Sequence, residues 1–344
     1  MTTRIAINGF GRIGRCLLRA LYENGYRNAF EVVAINELAD IESVSYMLRY
    51  DSTHGRFTGT VSILDEQHLM VNGDRIRVCH IADPAELDWA ALGVDLVMEC
   101  SGQIRSREDA ERHLTRGARK VLISNPADSA VDNTIIYGHN HDSLTADQRI
   151  VSNGSCSTNA LIPVLTLIDE AYGIEAGVTT TIHSAMNDQP VIDAYHSDLR
   201  RTRSSVQSII PVDTGLPAGI ERLMPQLAGK IESLHVRVPT INVSMLDISL
   251  QLTEATSASA VNDLIQEAAR SQYSGVLGLT REAHASIDFN HDPRSAIVDA
   301  TQTRVSGGRL LKLMVWFDNE WGFANRMLDT ASEMVDSGLA QAKL

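Results

Sequence analysis

Four cysteines in 344 residues, at positions 16, 79, 100 and 156, are too few to staple a fold, and their spacing holds neither a CxxC pair nor a Cys/His cluster of zinc-binding type. Neither a disulfide framework nor a structural metal is expected, and the thiols point to a reducing, cytoplasmic setting. Positive charge is also short: 30 Lys and Arg face 43 Asp and Glu, and the net charge of −13 disfavours nonspecific attachment to nucleic acid or an acidic membrane. Any anionic ligand has to be held by local cations. No stretch approaches the roughly 20 apolar residues of a membrane span. No repeat or low-complexity tract is visible. The opening MTTRIAINGFG runs into a strand instead of through the charged, apolar and small-residue regions of a signal peptide. The expectation is a protein with a small-molecule partner and no nucleic-acid or membrane partner. What is present, 44% hydrophobic and 21% charged residues, is the composition of a globular chain long enough for about two domains.

Arg4 to Asn8 form a short apolar run leading into Gly9-Phe10-Gly11-Arg12-Ile13-Gly14; Ile13, Cys16, Leu17, Ala20 and Leu21 follow at helical spacing, and Gly25 ends the helix. A second strand, Phe30 to Asn36, delivers Glu37. Strand, glycine loop, helix, strand and acid in this order suit a dinucleotide. Gly9, Gly11 and Gly14 let the backbone approach a pyrophosphate at a helix N-terminus, and the Glu37 carboxylate accepts from ribose hydroxyls. A glycine loop alone is also found as a plain tight turn, so the reading rests on the features occurring together. Glu37 favours NAD over NADP, because a carboxylate there repels a 2′-phosphate. Further on, Val44, Met47 and Leu48 predict a short helix and Asn72-Gly73 a hairpin. Val94–Cys100, Lys120–Ser124 and Thr134–Tyr137 read as strands around a polar helix at Arg105–Leu114. This is a Rossmann-type half.

Past Cys156 the character changes. Val178–His183, Leu234–Leu252, Ser286–Phe289, Ala296–Asp299 and Leu310–Phe317 read as strands of a mixed or antiparallel sheet, with helices at Ala258–Ser271 and Gly322–Gly338. The expected fold class is α/β: a Rossmann-type NAD-binding domain followed by an α+β catalytic domain.

Cys156 lies between a strand-like run ending at Val151 and the apolar segment Ala160–Ala171, which reads as a buried helix. A thiol at such a junction sits near the positive end of a helix dipole, which favours thiolate; the alternative is a small buried residue. His183 ends a predicted strand and is either a core histidine or the base that a nucleophilic cysteine needs. The cluster Arg200-Arg201-Thr202-Arg203 is read as surface ion pairs or as a phosphate site. Arg237 sits inside the apolar run Val236–Pro239, where a cation is unfavourable unless it meets an anion.

Taken together, Asn8 to Gly14, Ser155-Cys156-Ser157-Thr158-Asn159, His183, Arg237-Val238-Pro239-Thr240 and Asp318-Asn319-Glu320-Trp321-Gly322 resemble the glyceraldehyde-3-phosphate dehydrogenase family along nearly the whole chain. Ala34–Leu38, His183–Met186, Pro211–Thr214 and Asp288–Pro293 resemble its erythrose-4-phosphate dehydrogenase branch most. The resemblance implies NAD-dependent oxidation of a phosphorylated aldehyde through a thioester on Cys156, with His183 as base. Arg12, Ile13 and Ser124 would lie along the cofactor, and Asn319 would orient the nicotinamide carboxamide. Ser155, Ser157, Asp188, Arg203, Thr214, Gly215 and Arg237 would hold substrate or phosphate. It further implies a homotetramer, with residues 1–155 as the NAD-binding domain, completed by a C-terminal helix within 318–344, and 156–317 as the catalytic domain. In that branch the acid product feeds pyridoxal phosphate synthesis.

Three positions depart from the commonest family pattern: Ala160, where a second cysteine is usual; Phe323, where tyrosine is frequent; and Met186, in place of a threonine that helps hold substrate phosphate. Loss of a hydrogen bond to a charged group costs about 1.5–3 kcal/mol, roughly one to two orders of magnitude in preference between phosphosugars. A four-carbon substrate and hydrolytic release are therefore expected ahead of phosphorylating oxidation of glyceraldehyde 3-phosphate in glycolysis or gluconeogenesis. A redox sensor or scaffold on the same nucleotide fold is the non-enzymatic alternative.

Overall fold

Five of the six residues of the first strand, β1 (Thr3–Asn8), are buried, as happens when both faces of a parallel sheet are covered. Helix α1 (Arg12–Glu23) follows, with Leu17, Leu18 and Leu21 fully buried, and leads to β2 (Phe30–Asn36), parallel to β1. Helix α2 (Ile41–Arg49) starts where the Asp40 carboxylate accepts the Ser43 N–H at 2.8 Å. Next come the antiparallel strands β3 (Val61–Asp65), β4 (His68–Val71) and β5 (Asp74–Cys79), the last two joined at Asn72-Gly73. The half ends with β6 (Leu96–Glu99), α3 (Arg107–Thr115), β7 (Lys120–Ile123), β8 (Asn133–Thr134) and β9 (Ile150–Ser152). Their spatial order is β8-β9-β7-β6-β1-β2-β5-β4-β3. The winding reverses at β1, and Asn8 pairs with Glu99 where β1 and β6 end, so this crevice is the switch point at which open α/β sheets bind ligands. The predicted strand Thr134–Tyr137 stops at Thr134, because the Asn140 side chain takes the Ile136 N–H at 2.8 Å and turns the chain.

The computed structural model describes residues 2–338, and these fall into two units: the chain up to Ser155 together with the chain from Phe323 onward, and Cys156–Gly322. The second unit opens with α4 (Cys156–Tyr172), apolar and buried through most of its length. It continues with β10 (Ile174–His183), β11 (Ile210–Val212), α5 (Leu216–Leu223), β12 (Ile231–Arg237), β13 (Ser244–Leu252), α6 (Ala258–Arg270), β14 (Leu277–Thr280), β15 (Ala296–Asp299) and β16 (Leu310–Phe317). They build a mixed sheet in the order β11-β12-β10-β13-β16-β15-β14. Alternation is clear in β16, where Leu311, Leu313, Val315 and Phe317 are buried and their neighbours are not.

Leu234–Leu252 is two strands, broken where Val243 takes a left-handed backbone (φ 64°). Ser286–Phe289 is a 3₁₀ turn instead of a strand: the Asp288 carboxylate accepts the Ala285 N–H at 2.8 Å, a local bond that competes with a ladder. Helix α7 (Trp321–Gly338) packs on the first unit from Phe323 onward, where Thr330 donates to Asn153 and Lys120 donates to the Met334 carbonyl, both at 2.8 Å. Residues 339–344 of the expected C-terminal segment lie outside the described residues. Among the described residues no helix is long and apolar enough to cross a membrane.

Candidate functional site

In the first unit the glycine loop is dictated by space. Gly9 has φ +88°, and a Cβ there would lie 2.5 Å from Ser101 Cα; a Cβ on Gly14 would lie 2.2 Å from the Gly9 carbonyl oxygen. Only glycine fits either place. Gly11, the N-cap of α1, has open space around it. A cavity of about 460 Å³ at the ends of β1, β2 and β6 is lined by Gly9, Gly11, Asn36, Glu37 and Ser101. One Glu37 carboxylate oxygen accepts the Phe10 N–H at 2.9 Å and the other the Leu38 N–H at 2.8 Å. The acid is thus fixed at the cavity with lone pairs left for hydroxyls. Arg12 begins α1 with its guanidinium on Asp51. Burial alone would raise the Asp51 carboxyl, but Arg12 and the His54 and Thr53 N–H groups hold it well below the usual carboxylate range. Ile13 is half-buried beside Arg12, and Ser124, just past β7, donates its N–H to the Glu99 carbonyl at 2.9 Å. Cavity, helix start and acid fit a dinucleotide.

A buried polar network beneath this loop was not anticipated. The Glu99 carboxylate, fully buried, accepts Asn8 Nδ2 at 2.6 Å, the Ser101 N–H at 2.8 Å and His113 Nε2 at 3.0 Å. Trp89 Nε1–H can only donate, and it donates to His113 Nδ1 at 3.0 Å, so the His113 proton sits on Nε2 facing Glu99. Asn36 donates in turn to Asn8 Oδ1 at 2.7 Å. The ends of β1, β2 and β6 are clamped together by these bonds.

In the second unit Cys156 is the first residue of α4, and His183 the last of β10; Sγ and Nε2 are 3.6 Å apart. His183 Nδ1 lies 2.8 Å from the Ser184 carbonyl, which can only accept. The ring proton is therefore on Nδ1, and the Nε2 lone pair faces the sulfur. Asn319 Oδ1 accepts the Ser244 hydroxyl at 2.7 Å and the Ser184 hydroxyl at 3.1 Å. Ser244 Oγ is itself an acceptor for the Ser184 N–H, so its proton points to Asn319 and the amide orientation is set, with its NH₂ turned from both serines. Asp318, also buried, takes the Glu320 and Trp321 N–H groups at 3.0 and 2.8 Å and starts α7.

Register brings Arg237 opposite His183 on the neighbouring strand. Only 6% exposed, Arg237 donates to Asp188 at 2.5 Å, and Arg201 donates to the other Asp188 oxygen at 3.0 Å. Arg203 does not join them: its side chain, 66% exposed, pairs with Asp193 at 2.8 Å. The arginine that the cluster contributes beside Arg237 is Arg201. Thr214 Oγ1 accepts the Leu216 N–H at 3.2 Å, Gly215 is the N-cap of α5, Ser157 is buried in the first turn of α4, and Ser155 precedes Cys156 in the chain.

Residues 3–107 match the family model of the glyceraldehyde 3-phosphate dehydrogenase NAD binding domain, and residues 155–319 match that of its C-terminal domain. The chain belongs to the glyceraldehyde-3-phosphate dehydrogenase family. It is an NAD-dependent dehydrogenase of phosphorylated aldehydes.

One expectation about this dehydrogenase is reversed by its electrostatics. Cys156 was expected to be held as thiolate; instead burial pushes its thiol up to about 11, although hydrogen bonds with Ser157 pull the other way. Desolvation outweighs the helix end. Burial lowers His183 as well, its bond with Ser184 opposing and the Arg237 cation reinforcing the shift. Both shifts favour the uncharged forms, thiol and neutral imidazole, and His183 Nε2, 3.6 Å from the sulfur, is placed to take the proton as the thiolate forms. Arg201, Ser184, Ser244 and His235, whose ring stacks on His183 at 5.2 Å, carried no sequence signal beyond the arginine cluster itself, because strand register sets their neighbours.

Proposed function

We propose that the enzyme oxidises D-erythrose 4-phosphate to 4-phosphoerythronate, as in pyridoxal phosphate biosynthesis. The sulfur–imidazole contact of 3.6 Å, with the proton-free nitrogen toward the sulfur, supports the thioester chemistry; the choice of aldehyde rests on Met186. Cys156 gives its proton to His183 Nε2 as it adds to the aldehyde carbon, and the imidazolium returns that proton to the oxygen, leaving a hemithioacetal. His183 then takes the hydroxyl proton again. Oxidation of the hemithioacetal to a thioester is the chemistry NAD supplies when bound. Water releases the acid and regenerates the thiol.

We assign Gly9, Gly11, Arg12, Ile13, Gly14, Glu37 and Ser124 to the dinucleotide and Asn319 to the nicotinamide amide. The substrate phosphate goes to Arg201 and Arg237, positioned by Asp188, with Ser155, Ser157, Thr214 and Gly215 in the same shell; Arg203, paired elsewhere, is left out of it. Met186, 45% exposed two residues before Asp188 and without a hydroxyl to offer a phosphate, supports the four-carbon substrate. The family's description names glyceraldehyde 3-phosphate, the substrate of the second reading, phosphorylating oxidation of that aldehyde. NADH formation measured with both aldehydes, with and without inorganic phosphate, decides: preference for erythrose 4-phosphate without phosphate supports the first, strict phosphate dependence with the three-carbon aldehyde the second.

We further propose a cytoplasmic homotetramer. Among the described residues no cysteine is disulfide-bonded, which suits a reducing compartment. Val191, Ile192, Leu199 and Ile209 after β10, with Val178 and Leu234 on β10 and β12, are exposed large apolar side chains that an oligomer interface would cover. Light scattering on the purified protein tests this: a monomer mass defeats it.

A further inference from the structure

A second imidazole lies against the catalytic pair, and the reaction as drawn does not use it. Thr181 pairs with His235 and His183 with Arg237 between the parallel strands β10 and β12, so side-chain alternation sets all four on one face of the sheet. There the rings of His183 and His235 stack, centroids 5.2 Å apart and planes inclined by 25°. The Phe317 ring meets His183 edgewise at 6.5 Å and 71°. With Nδ1 held by Ser184, the His183 imidazole is constrained in plane as well as in tautomer. His235 Nε2 and Thr181 Oγ1 are buried and make no hydrogen bond with described residues. Such groups are unfavourable in a core, so a residue that merely filled this space would be better apolar.

We propose that His235 is a positioning residue for the base: its ring covers one face of His183, keeps water from that face and holds Nε2 on the Cys156 sulfur. The inference rests on Cys156 and His183 being nucleophile and base. A base screened from water stays neutral to lower pH. The charged and titratable groups that act on His183 are Cys156 from α4, Arg237 and His235 from β12, Asp188 from the segment after β10 and Glu320 ahead of α7. Arg237 favours the neutral ring and the two acids oppose it. His235 is itself held neutral, at about 3, mainly by burial and then by His183 and the two arginines. It acts through its ring and not through a charge.

His235→Ala removes the ring, and His235→Phe restores a flat one that cannot titrate; His235→Asn serves if the alanine variant does not fold. Two pH profiles are read for each: kcat/KM for NADH formation, and the rate at which iodoacetamide alkylates Cys156, which needs no turnover. Without the ring, the acid limb of both profiles moves to higher pH, kcat/KM near pH 6 falls roughly threefold or more, KM changes little, and the phenylalanine variant returns to wild type. An unmoved acid limb in His235→Ala, or one displaced equally in His235→Phe, overturns the proposal. If alkylation responds as expected but the wild-type protein forms no NADH from either phosphorylated aldehyde, the positioning role is supported and the assigned reaction is what fails.

Discussion

Replacing His183 by asparagine removes the base and leaves Cys156 to ionise alone. With burial pushing the thiol up to about 11, the unaided sulfur is thiolate in only about one part in 10⁴ near pH 7. In the wild type the neutral Nε2, 3.6 Å away, takes the proton as the attack proceeds. Without it the reaction depends on that small fraction. The value of kcat/KM near pH 7 should fall by about 10³–10⁴, the upper part of what general-base catalysis contributes. The sign of the pH dependence is as diagnostic as the size. The variant should gain about tenfold per pH unit as thiolate accumulates toward its raised pKa, while the wild type stays nearly flat above the lowered pKa of His183. Initial rates of NADH formation across the alkaline range, with circular dichroism to confirm folding, make the measurement. A loss below about tenfold, or a variant profile parallel to that of the wild type, refutes the assignment of His183 as the base.

Three further outcomes are expected. Arg237→Gln should raise KM for a phosphorylated aldehyde by about 10- to 100-fold and, assayed well above the lowered pKa of His183, affect an unphosphorylated aldehyde far less, whereas Arg203→Gln, at an exposed ion pair, should stay within about twofold; steady-state kinetics of the two variants test the arginine assignment. Gly9→Ala forces a Cβ to within 2.5 Å of Ser101 Cα at φ +88°, so a stability loss of about 2–4 kcal/mol in denaturant titration and at least a tenfold weaker NAD affinity are expected. Met186→Thr returns a hydroxyl near Asp188 and should shift preference toward glyceraldehyde 3-phosphate by about 10- to 100-fold, read from the ratio of kcat/KM for the two aldehydes.

The glycine loop was legible because Gly9 and Gly14 stand where a Cβ would strike backbone, and Glu37 because strand length sets its place after β2. Cys156 was legible as the first residue before an apolar helix. Its protonation was not, since the junction announces the helix dipole but not how dry the sulfur's surroundings are. The arginine segment failed differently: Leu199–Thr202 is a 3₁₀ turn, with no helical or strand period to say which guanidinium faces Asp188. His235 escaped notice because its partner lies on a parallel neighbour reached through a long connection, and Glu99, His113 and Trp89 because a strand end, a helix and a loop share no sequence period that would announce their contact. Strand β3 left no pattern to read, four of its five residues being exposed.

In the proposed reaction the substrate becomes covalently attached to Cys156 while being oxidised. Rapid acid quench of the enzyme turning over NAD and erythrose 4-phosphate, followed by peptide mass spectrometry, tests it without reference to rates. A 4-phosphoerythronyl thioester on the peptide carrying Cys156, its added mass that of the acid less one water, absent when NAD is omitted, is the predicted result. An adduct on Cys16, Cys79 or Cys100 instead, or turnover with no adduct and full activity in Cys156→Ser, contradicts the account.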